Sequence, residues 1–317
     1  MRISLFIPCH NEEKSIRTSI ASWLNQTRSP DEIIVVDDSS TDATPAILAE
    51  FADRLTVVRT PKNSGNKSYA QEYGMQFITG EVFVTSDADT ILHSNFIEMI
   101  EKDFADPTVA AVGGYVKSLK YNWLTRHRAF EYAVGQNLHK LAQSYLDFMF
   151  VIPGAAGAFR TEIFRSYLSF DHDTITEDLD FTYKLHKNDF KIVYNRNAIV
   201  MTQDPTTLRC YFNQMRRWCG GGWQNLVKHC DIALRPVQAL ELSLMYIEGL
   251  TFSFITLLLP FLNLRFALFV TVSQLLLVTV FSIFAAFREK RPDLVLAPIP
   301  YMFILYLNSY IFVEQFI

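Results

Sequence analysis

Two pairs of aspartates are the side chains of this sequence best suited to bind a charged substrate through a cation. Asp37 and Asp38 follow one apolar run, and Asp87 and Asp89 follow another. On neighbouring strands of one sheet these carboxylates would converge and raise one another's pKa unless a cation joined them. Carboxylate oxygens suit Mg²⁺ or Mn²⁺, which are commonly shared with a substrate diphosphate. A lone D-x-D is more often a solvated loop, but two such clusters favour a metal-assisted nucleotide site.

A third acidic group lies much farther along the chain, at Thr176-Glu177-Asp178. Acids in the first turn of a helix complement the helix dipole, and that structural role alone would explain them. A carboxylate here would alternatively act as a general base on an acceptor hydroxyl. The residues by themselves leave both interpretations open.

The segment Gln214-Met-Arg-Arg-Trp218 supplies the opposite charge. Arg217 can hold a diphosphate through two parallel hydrogen bonds, and Trp218 can form a flat apolar wall for a sugar ring. An amphipathic helix at a membrane surface would also contain arginine and tryptophan. The segment therefore indicates either a ligand-binding helix or a membrane-surface helix.

Alternating strand-like and helix-like patterns position the two aspartate pairs. Short apolar runs predict strands at residues 3–8, 32–36, 55–59 and 82–86, with helices at 44–51 and 68–77. Asn11 is predicted to cap a further helix, whose apolar face is Ile16, Ile20, Trp23 and Leu24. The alternation predicts an α/β fold with βαβ units on a mostly parallel sheet. Such sheets bind ligands beyond the carboxyl ends of their strands, where the aspartates lie.

The region between residues 109 and 204 is less regular. It contains a predicted strand at 109–116, a helical stretch at 122–146 and a small-residue loop at 154–157. Residues 208–229 are rich in aromatic and basic side chains, as expected of a helix that lies at a membrane surface.

Three apolar spans follow, at about residues 240–262, 266–287 and 294–316, each near the ~20 residues that cross a bilayer. Loop 288–293 carries three positive charges, which predicts that this loop and the catalytic domain are cytoplasmic and that the C-terminus is outside. The first span is the weakest, because Glu241 and Glu248 each cost roughly 2–3 kcal/mol at bilayer depth.

Three regions are expected from these patterns: a catalytic domain over residues 1–207, an amphipathic interface segment over 208–235 and a transmembrane region over 236–317. A net charge of −4 without blocks of like charge argues against a nucleic-acid partner. The four cysteines form no C-x-x-C pair and are expected to be reduced. The apolar N-terminus is too short for a signal peptide, so the first domain is expected to fold in the cytoplasm.

Four motifs occur together here: Asp-Asp-x-Ser at 37–40, Asp-x-Asp at 87–89, Thr-Glu-Asp at 176–178 and Gln-x-x-Arg-Trp at 214–218. In this order and spacing, the chain resembles the family 2 glycosyltransferases, particularly the membrane synthases of hyaluronan, chitin, cellulose and poly-N-acetylglucosamine. The resemblance runs from residue 3 to about 223. Loops 8–12, 63–67 and 154–160 also resemble loops of that family.

The resemblance implies a GT-A fold that binds a UDP-sugar with Mg²⁺ or Mn²⁺ and inverts the anomeric carbon. It implies roles for individual residues: nucleotide binding by Pro8, Glu12, Asp37, Asp38, Lys67 and Asp87; metal binding by Asp87 and Asp89; general-base catalysis by Asp178; and acceptor or diphosphate contacts by Glu177, Gln214, Arg217 and Trp218. The implied partners are the UDP-sugar, a glycan or lipid acceptor and the membrane.

The sequence is compatible with three functions. The first is processive synthesis of a β-linked polysaccharide by a multi-pass enzyme of the cell membrane, with its catalytic domain in the cytoplasm. We expect about three spans after the catalytic domain and none before it. So few spans argue against a polymer channel built by one copy, so a homo-oligomer or an accessory subunit is an alternative. The second is a single addition to a lipid acceptor, which needs no channel. The third is a non-catalytic membrane scaffold with a vestigial transferase domain.

Overall fold

The computed structural model describes all residues, Met1–Ile317, and the chain divides into two compact units. The first unit comprises Met1–Lys117, Gln143–Asp173 and Glu177–Gln203. The second comprises Ser118–Ala142, Thr174–Thr176 and Asp204–Ile317. The chain therefore enters the second unit three times, the second time for a single three-residue segment.

One eight-stranded sheet forms the first unit. Its strands are β1 Ile3–Cys9, β2 Glu32–Asp37, β3 Thr56–Arg59, β4 Val82–Thr85, β5 Ile91–Leu92, β6 Val109–Ser118, β7 Gly157–Arg160 and β8 Lys191–Thr202. They lie in the order β3-β2-β1-β4-β7-β6-β8-β5. Strands β3, β2, β1 and β4 are parallel, whereas β7 is antiparallel to both β4 and β6. The predicted α/β class and its parallel βαβ half are confirmed, and an antiparallel half completes the sheet.

Thirteen α-helices accompany the strands. They are α1 Ile16–Leu24, α2 Thr44–Ala49, α3 Lys67–Met75, α4 Phe96–Asp103, α5 Trp123–Val134, α6 Lys140–Tyr145, α7 Thr161–Tyr167, α8 Glu177–Lys187, α9 Leu208–Lys228, α10 Pro236–Leu242, α11 Gly249–Leu262, α12 Leu264–Glu289 and α13 Pro298–Phe316. A π-helical turn, Gly135–His139, joins α5 to α6, and another, Ser243–Glu248, joins α10 to α11.

The start of α1 differs from the prediction. Ile16, Ile20 and Trp23 are buried at helical spacing as expected, but α1 begins after Ser15 rather than at Asn11. Asn11 has a left-handed backbone (φ 54°), and its side chain accepts a hydrogen bond from the Thr41 amide. The predicted cap was therefore wrong, because this asparagine stabilises the turn after β2 instead of a helix end.

An aromatic cluster packs one face of the sheet. Phe83 of β4 lies 4.9 Å from Phe164 of α7 and 5.4 Å from Phe159 of β7, between ring centroids. Phe164 lies 4.9 Å from Phe181 of α8. Such pairs add about 0.5–1.5 kcal/mol each beyond their buried area. The cluster therefore ties α7 and α8, which lie far along the chain, to the parallel half of the sheet.

Two helical segments of the second unit are long and apolar enough to cross a membrane, Pro236–Leu262 and Leu264–Glu289. The third span predicted by sequence, 294–316, is not supported, because its helix α13 does not meet the same test. Polar residues of α13 serve packing within the unit. Tyr211 of α9 donates to Asn308 at 3.0 Å, and Arg216 pairs with Glu314 at 2.9 Å.

Gly74 provides a test of how α3 packs. A Cβ added here would overlap the side chains of Phe6 in β1 and Val36 in β2. Alanine ordinarily favours a helix over glycine by about 1 kcal/mol, but overpacking a core costs about 1–3 kcal/mol. We therefore expect Gly74→Ala to lower the free energy of unfolding, measured as a lower Tm by scanning fluorimetry.

The matched control is Gly135→Ala, because nothing lies within 4 Å of its added Cβ. This variant should keep or raise the Tm. If both variants unfold at the temperature of the parent protein, α3 does not pack against β1 and β2 as described.

Candidate active site

Acidic side chains meet where the parallel strands end. Asp37 is the last residue of β2, with Asp38 next to it, and Asp87 and Asp89 follow β4. Glu12 follows β1, close enough for its charge to act on Asp89. Parallel strands present their carboxyl ends at one edge, and the polar groups that follow them share a crevice.

Asp37 and Asp38 are buried and already hydrogen-bonded. The Arg59 guanidinium donates to Asp37 Oδ2 at 2.7 Å. Asp38 accepts from the hydroxyls of Thr60, at 2.8 Å, and Ser64, at 2.7 Å. Both carboxylates therefore shape the loop after β3. Sequence reasoning did not single out Arg59, although its place at the end of a predicted strand was a usable signal.

Pro8 lies inside β1, where it is buried and pairs with Val36 of β2. Glu12 is half-buried, and Ser15 donates to its Oε2 at 2.5 Å. Burial raises the pKa of Glu12, with the charge of Asp87 adding to the effect and the Ser15 bond opposing it. Glu12 therefore contributes negative charge to the crevice, whereas Pro8 contributes to the strand that positions it.

Lys67, the first residue of α3, is the cation at the centre of the acidic groups. Its ammonium donates to Asp87 Oδ1 at 2.5 Å and lies 3.6 Å from Glu177 Oε1. Burial disfavours the charged ammonium, but Asp87 and Glu177 outweigh this effect and raise the pKa of Lys67. One lysine thus connects the end of β4 to the start of α8.

The surroundings of Asp89 disfavour its ionised form. Burial, together with the charges of Asp87 and Glu12 and against the opposing charge of Lys67, raises its pKa to about 7. Hard oxygen donors with surplus negative charge suit a divalent cation. No three His, Cys, Asp or Glu side chains are grouped to hold an ion by themselves. The residues therefore fit a cation whose remaining ligands are substrate oxygens and water, which is how Mg²⁺ is commonly held.

Asp178 lies in the first turn of α8 beside Glu177. It accepts hydrogen bonds from the amides of Leu179, at 2.9 Å, and Gly154, at 3.4 Å. Burial and the charge of Glu177, opposed by Lys67, together raise the pKa of Asp178 to about 6. A carboxylate with a pKa near the working pH is suited to accept a proton.

Gly154 keeps the space between these groups open. A Cβ at this position would lie 3.3 Å from Lys67 Nζ and 3.7 Å from Asp178 Oδ2. A small cavity beside it is lined by Glu177, Asp178 and core aromatic rings. The loop at 154–157 thus borders the acidic crevice, in keeping with its small residues.

Gln214, Arg217 and Trp218 lie on α9, in the second unit. Thr207 caps this helix by accepting from the Cys210 amide. Arg217 is exposed, and Trp218 is 38% exposed with the Arg128 guanidinium 5.0 Å from its ring centroid. The amide oxygen of Gln214 is buried without a hydrogen-bond partner. The structure therefore presents an arginine and part of an indole on one helix.

Comparisons with known proteins add to this geometry. The family model described as "Glycosyl transferase family 2" matches residues 4–168, more than half of the chain. Poly-β-1,6-N-acetyl-D-glucosamine synthase of Staphylococcus epidermidis is 29% identical over 230 residues, which are 71% of this chain and 56% of the relative. β-Monoglucosyldiacylglycerol synthase of a Nostoc species is 28% identical over 242 residues, 74% of this chain and 51% of the relative. The chain thus spans about half the length of the curated relatives it matches.

Solved structures share the fold. A mannosyltransferase from Pyrobaculum calidifontis, in complex with GDP-Man and Mn²⁺, has a TM-score of 0.66 at 18% identity, covering 99% of this chain and 87% of that one. Staphylococcus aureus TarS 1-349, in complex with UDP, has a TM-score of 0.56 at 19% identity, covering 99% of this chain and 90% of that one. The fold of the first unit is therefore GT-A-like. With the match of the family model, the acidic crevice and this fold show that the chain belongs to glycosyl transferase family 2.

Proposed function

We propose that this chain is a membrane-bound inverting glycosyltransferase that moves a sugar from a UDP-sugar to a growing glycan. The observation that carries the proposal is Asp178, a partly buried carboxylate with a raised pKa, held beside an acidic crevice at the carboxyl edge of the sheet. A proton acceptor beside groups that could hold a metal-bound diphosphate supports this proposal.

The donor would bind in the crevice. Asp38 and Asp37, held by Ser64 and Arg59, would shape the nucleoside end, and Lys67 would contact the diphosphate. Asp87 and Asp89 would hold Mg²⁺ or Mn²⁺. When bound, such an ion neutralises charge on the diphosphate and favours its departure. A structural neighbour in complex with GDP-Man and Mn²⁺, and another with UDP, support this assignment.

Asp178 would remove the proton from the acceptor hydroxyl. The hydroxyl oxygen attacks the anomeric carbon on the face opposite the leaving group, and the proton passes to a carboxylate oxygen of Asp178. As the new C–O bond forms, the bond from the anomeric carbon to the diphosphate oxygen breaks. Its electron pair leaves with UDP. A single displacement of this kind inverts the anomeric configuration.

Residues of α9 would serve the acceptor side. The Arg217 guanidinium can hold phosphate oxygens through paired hydrogen bonds, and the exposed part of the Trp218 ring offers an apolar surface to a sugar. Gln214 and Glu177 would add hydrogen bonds to the sugar hydroxyls. These roles stay proposals and depend on the family resemblance.

We propose that Pro236–Leu262 and Leu264–Glu289 span the membrane, with the first unit in the cytoplasm. Basic residues at 288–291, at the end of α12, support this orientation through the positive-inside rule. Carbonate-washed membranes provide the test: a chain that spans the bilayer stays in the pellet, and release into the supernatant would remove the spans from the proposal.

A single addition to a lipid acceptor is the second candidate. The similarity to β-monoglucosyldiacylglycerol synthase favours it, and so do two candidate spans where three were predicted. The size of the product distinguishes single addition, which yields one glycolipid, from polymer synthesis, which yields long chains. The scaffold hypothesis predicts no sugar transfer at all.

The proposed function predicts metal-dependent release of UDP. We expect membranes that contain the chain to release UDP from UDP-N-acetylglucosamine or UDP-glucose when Mn²⁺ and an acceptor are present, because transfer breaks the sugar–diphosphate bond. UDP release is measured with a coupled assay, and radiolabelled product is sized. A ladder of products indicates polymer synthesis, and one labelled lipid indicates single addition. Membranes carrying Asp178→Asn serve as the control, and equal release from both membranes would contradict the proposal.

Metal-dependent donor binding should require Asp89. We expect Asp89→Asn to abolish the Mn²⁺-dependent part of UDP binding, because removing one charged oxygen ligand weakens the site shared with the diphosphate. The measurement is calorimetric UDP affinity with and without Mn²⁺. Asp53→Asn, at an exposed position, is the matched control. Unchanged affinity in Asp89→Asn, or in parent protein with excess chelator, would exclude a metal bridge.

The rate should depend on the ionisation of Asp178. Its raised pKa of about 6 means that the carboxylate is protonated at lower pH, so turnover should fall as pH drops below about 6 and level off above it. Asp178→Asn should lower turnover ~10²–10⁴-fold while UDP affinity stays near normal. Both effects are measured as initial rates of UDP release across pH.

Glu177→Gln provides the complementary measurement. Loss of its negative charge should lower the pKa of Asp178 and move the acid limb of the pH profile to lower pH. An acid limb that stays in place, together with near-normal turnover of Asp178→Asn, would assign the base to another residue. Glu177 or Asp180 would then be the next candidate.

A further inference from the structure

A buried cation occupies the centre of a polar cluster in the second unit. The Arg128 side chain, on α5, is only 5% exposed, and its guanidinium lies 2.5 Å from Glu131 Oε2 and 3.5 Å from Asp204 Oδ1. His127, also buried, lies 3.2 Å from the other oxygen of Glu131. Helical spacing places Glu131 beside Arg128, whereas Asp204 comes from the segment before α9. The buried charge is therefore paired.

Aromatic rings surround the same guanidinium. Its central carbon lies 4.6 Å from the ring centroid of Tyr132, 5.0 Å from that of Trp218 and 5.9 Å from that of Tyr211. The Arg128 guanidinium also donates to the Tyr132 hydroxyl at 3.0 Å, and that hydroxyl donates to Asp204 at 3.2 Å. Both carboxylates and aromatic rings therefore contact the guanidinium.

Stability alone does not account for this cluster. Buried ion networks are often no more stable than well-packed apolar residues of similar volume, because each charge loses its hydration. Arg128 contacts both Trp218 of α9 and Tyr132 of its own helix. An apolar residue at this position could also contact both rings, but it would not orient them through a planar charged group. The rings it contacts include the tryptophan of the Gln-x-x-Arg-Trp segment.

We infer that Arg128 is a positioning residue that fixes the indole plane of Trp218 for stacking against an acceptor sugar. The inference rests on the proposed function, in which Trp218 faces the acceptor. The guanidinium contacts the ring, and 38% of the Trp218 surface stays accessible to a ligand. An indole held in one orientation before binding loses less conformational freedom when the sugar arrives. The ligand class is a pyranose with an apolar C–H face.

Arg128→Lys is the discriminating variant. Lysine keeps a positive charge for Glu131 and Asp204 but lacks the flat guanidinium that stacks on rings. The double variant Arg128→Met with Asp204→Asn removes one charge of each sign. It replaces Arg128→Lys in the measurements if the lysine variant does not fold. The matched control is Arg216→Met. It breaks an exposed ion pair with Glu314 and a cation–π contact, 5.6 Å from the Phe212 ring, on the same helix as Trp218.

The first measurement follows the mobility of the Trp218 indole and does not depend on enzyme activity. In a background of Trp123→Phe and Trp223→Phe, the remaining tryptophans are Trp218 and the fully buried Trp23. Arg128→Lys should raise the acrylamide quenching constant and lower the fluorescence anisotropy, because the indole gains freedom. Arg216→Met should leave both unchanged. If Arg128→Lys and the double variant also leave both unchanged, Arg128 does not position Trp218.

The second measurement separates acceptor from donor. The probes are a β-linked N-acetylglucosamine tetramer and a short-chain diacylglycerol, tested as acceptors in the UDP-release assay. We expect Arg128→Lys to raise the acceptor KM roughly 2- to 30-fold, the range of a cation–π contact, while the UDP-sugar KM stays constant. Equal changes in both KM values would indicate a merely structural role and overturn the inference. If the parent protein releases no UDP with either probe, the proposed function fails, and the quenching result alone decides the role of Arg128.

Discussion

The excess of negative charge at the carboxyl edge of the sheet is the constraint on which the proposed site depends. Carboxylates from the ends of β1, β2 and β4 and from the start of α8 repel one another in a partly buried crevice unless positive charge lies among them. Lys67 neutralises part of this charge by contacting Asp87 and Glu177. Burial raises the pKa values of Asp89 and Asp178, and neighbouring carboxylates add to the effect. We propose that a diphosphate, itself an anion, enters this crevice together with a cation.

The sheet topology determines which groups meet at this edge. Parallel pairing of β2, β1 and β4 aligns the two aspartate pairs, and the antiparallel strand β7 then extends the sheet beside β4. The loop before β7 supplies Gly154, and the aromatic packing of Phe181 fixes α8, which starts with Glu177 and Asp178. The proposed base thus reaches the crevice through tertiary packing of a segment that is distant along the chain.

The second unit is stabilised differently from the first, because its helices combine apolar surfaces with a few buried polar groups. Pro236–Leu262 and Leu264–Glu289 are apolar over lengths that suit a bilayer, whereas α13 binds α9 through polar residues. The cation of Arg128 is buried among carboxylates and rings next to Trp218. Polar contacts therefore organise the part of this unit that carries the Gln-x-x-Arg-Trp segment.

The sequence by itself determined the α/β class, the parallel strands, the acidic clusters after them and the helix of the Gln-x-x-Arg-Trp segment, because these depend on local periodicity and on side-chain chemistry. It could not show that Arg59 pairs with Asp37, or that Lys67 contacts both Asp87 and Glu177, because these contacts join segments far apart in the chain. Hydropathy also predicted a third span at 294–316. Only the tertiary structure decided that polar residues of α13 contact α9, since a buried polar contact leaves no periodic signal in the sequence.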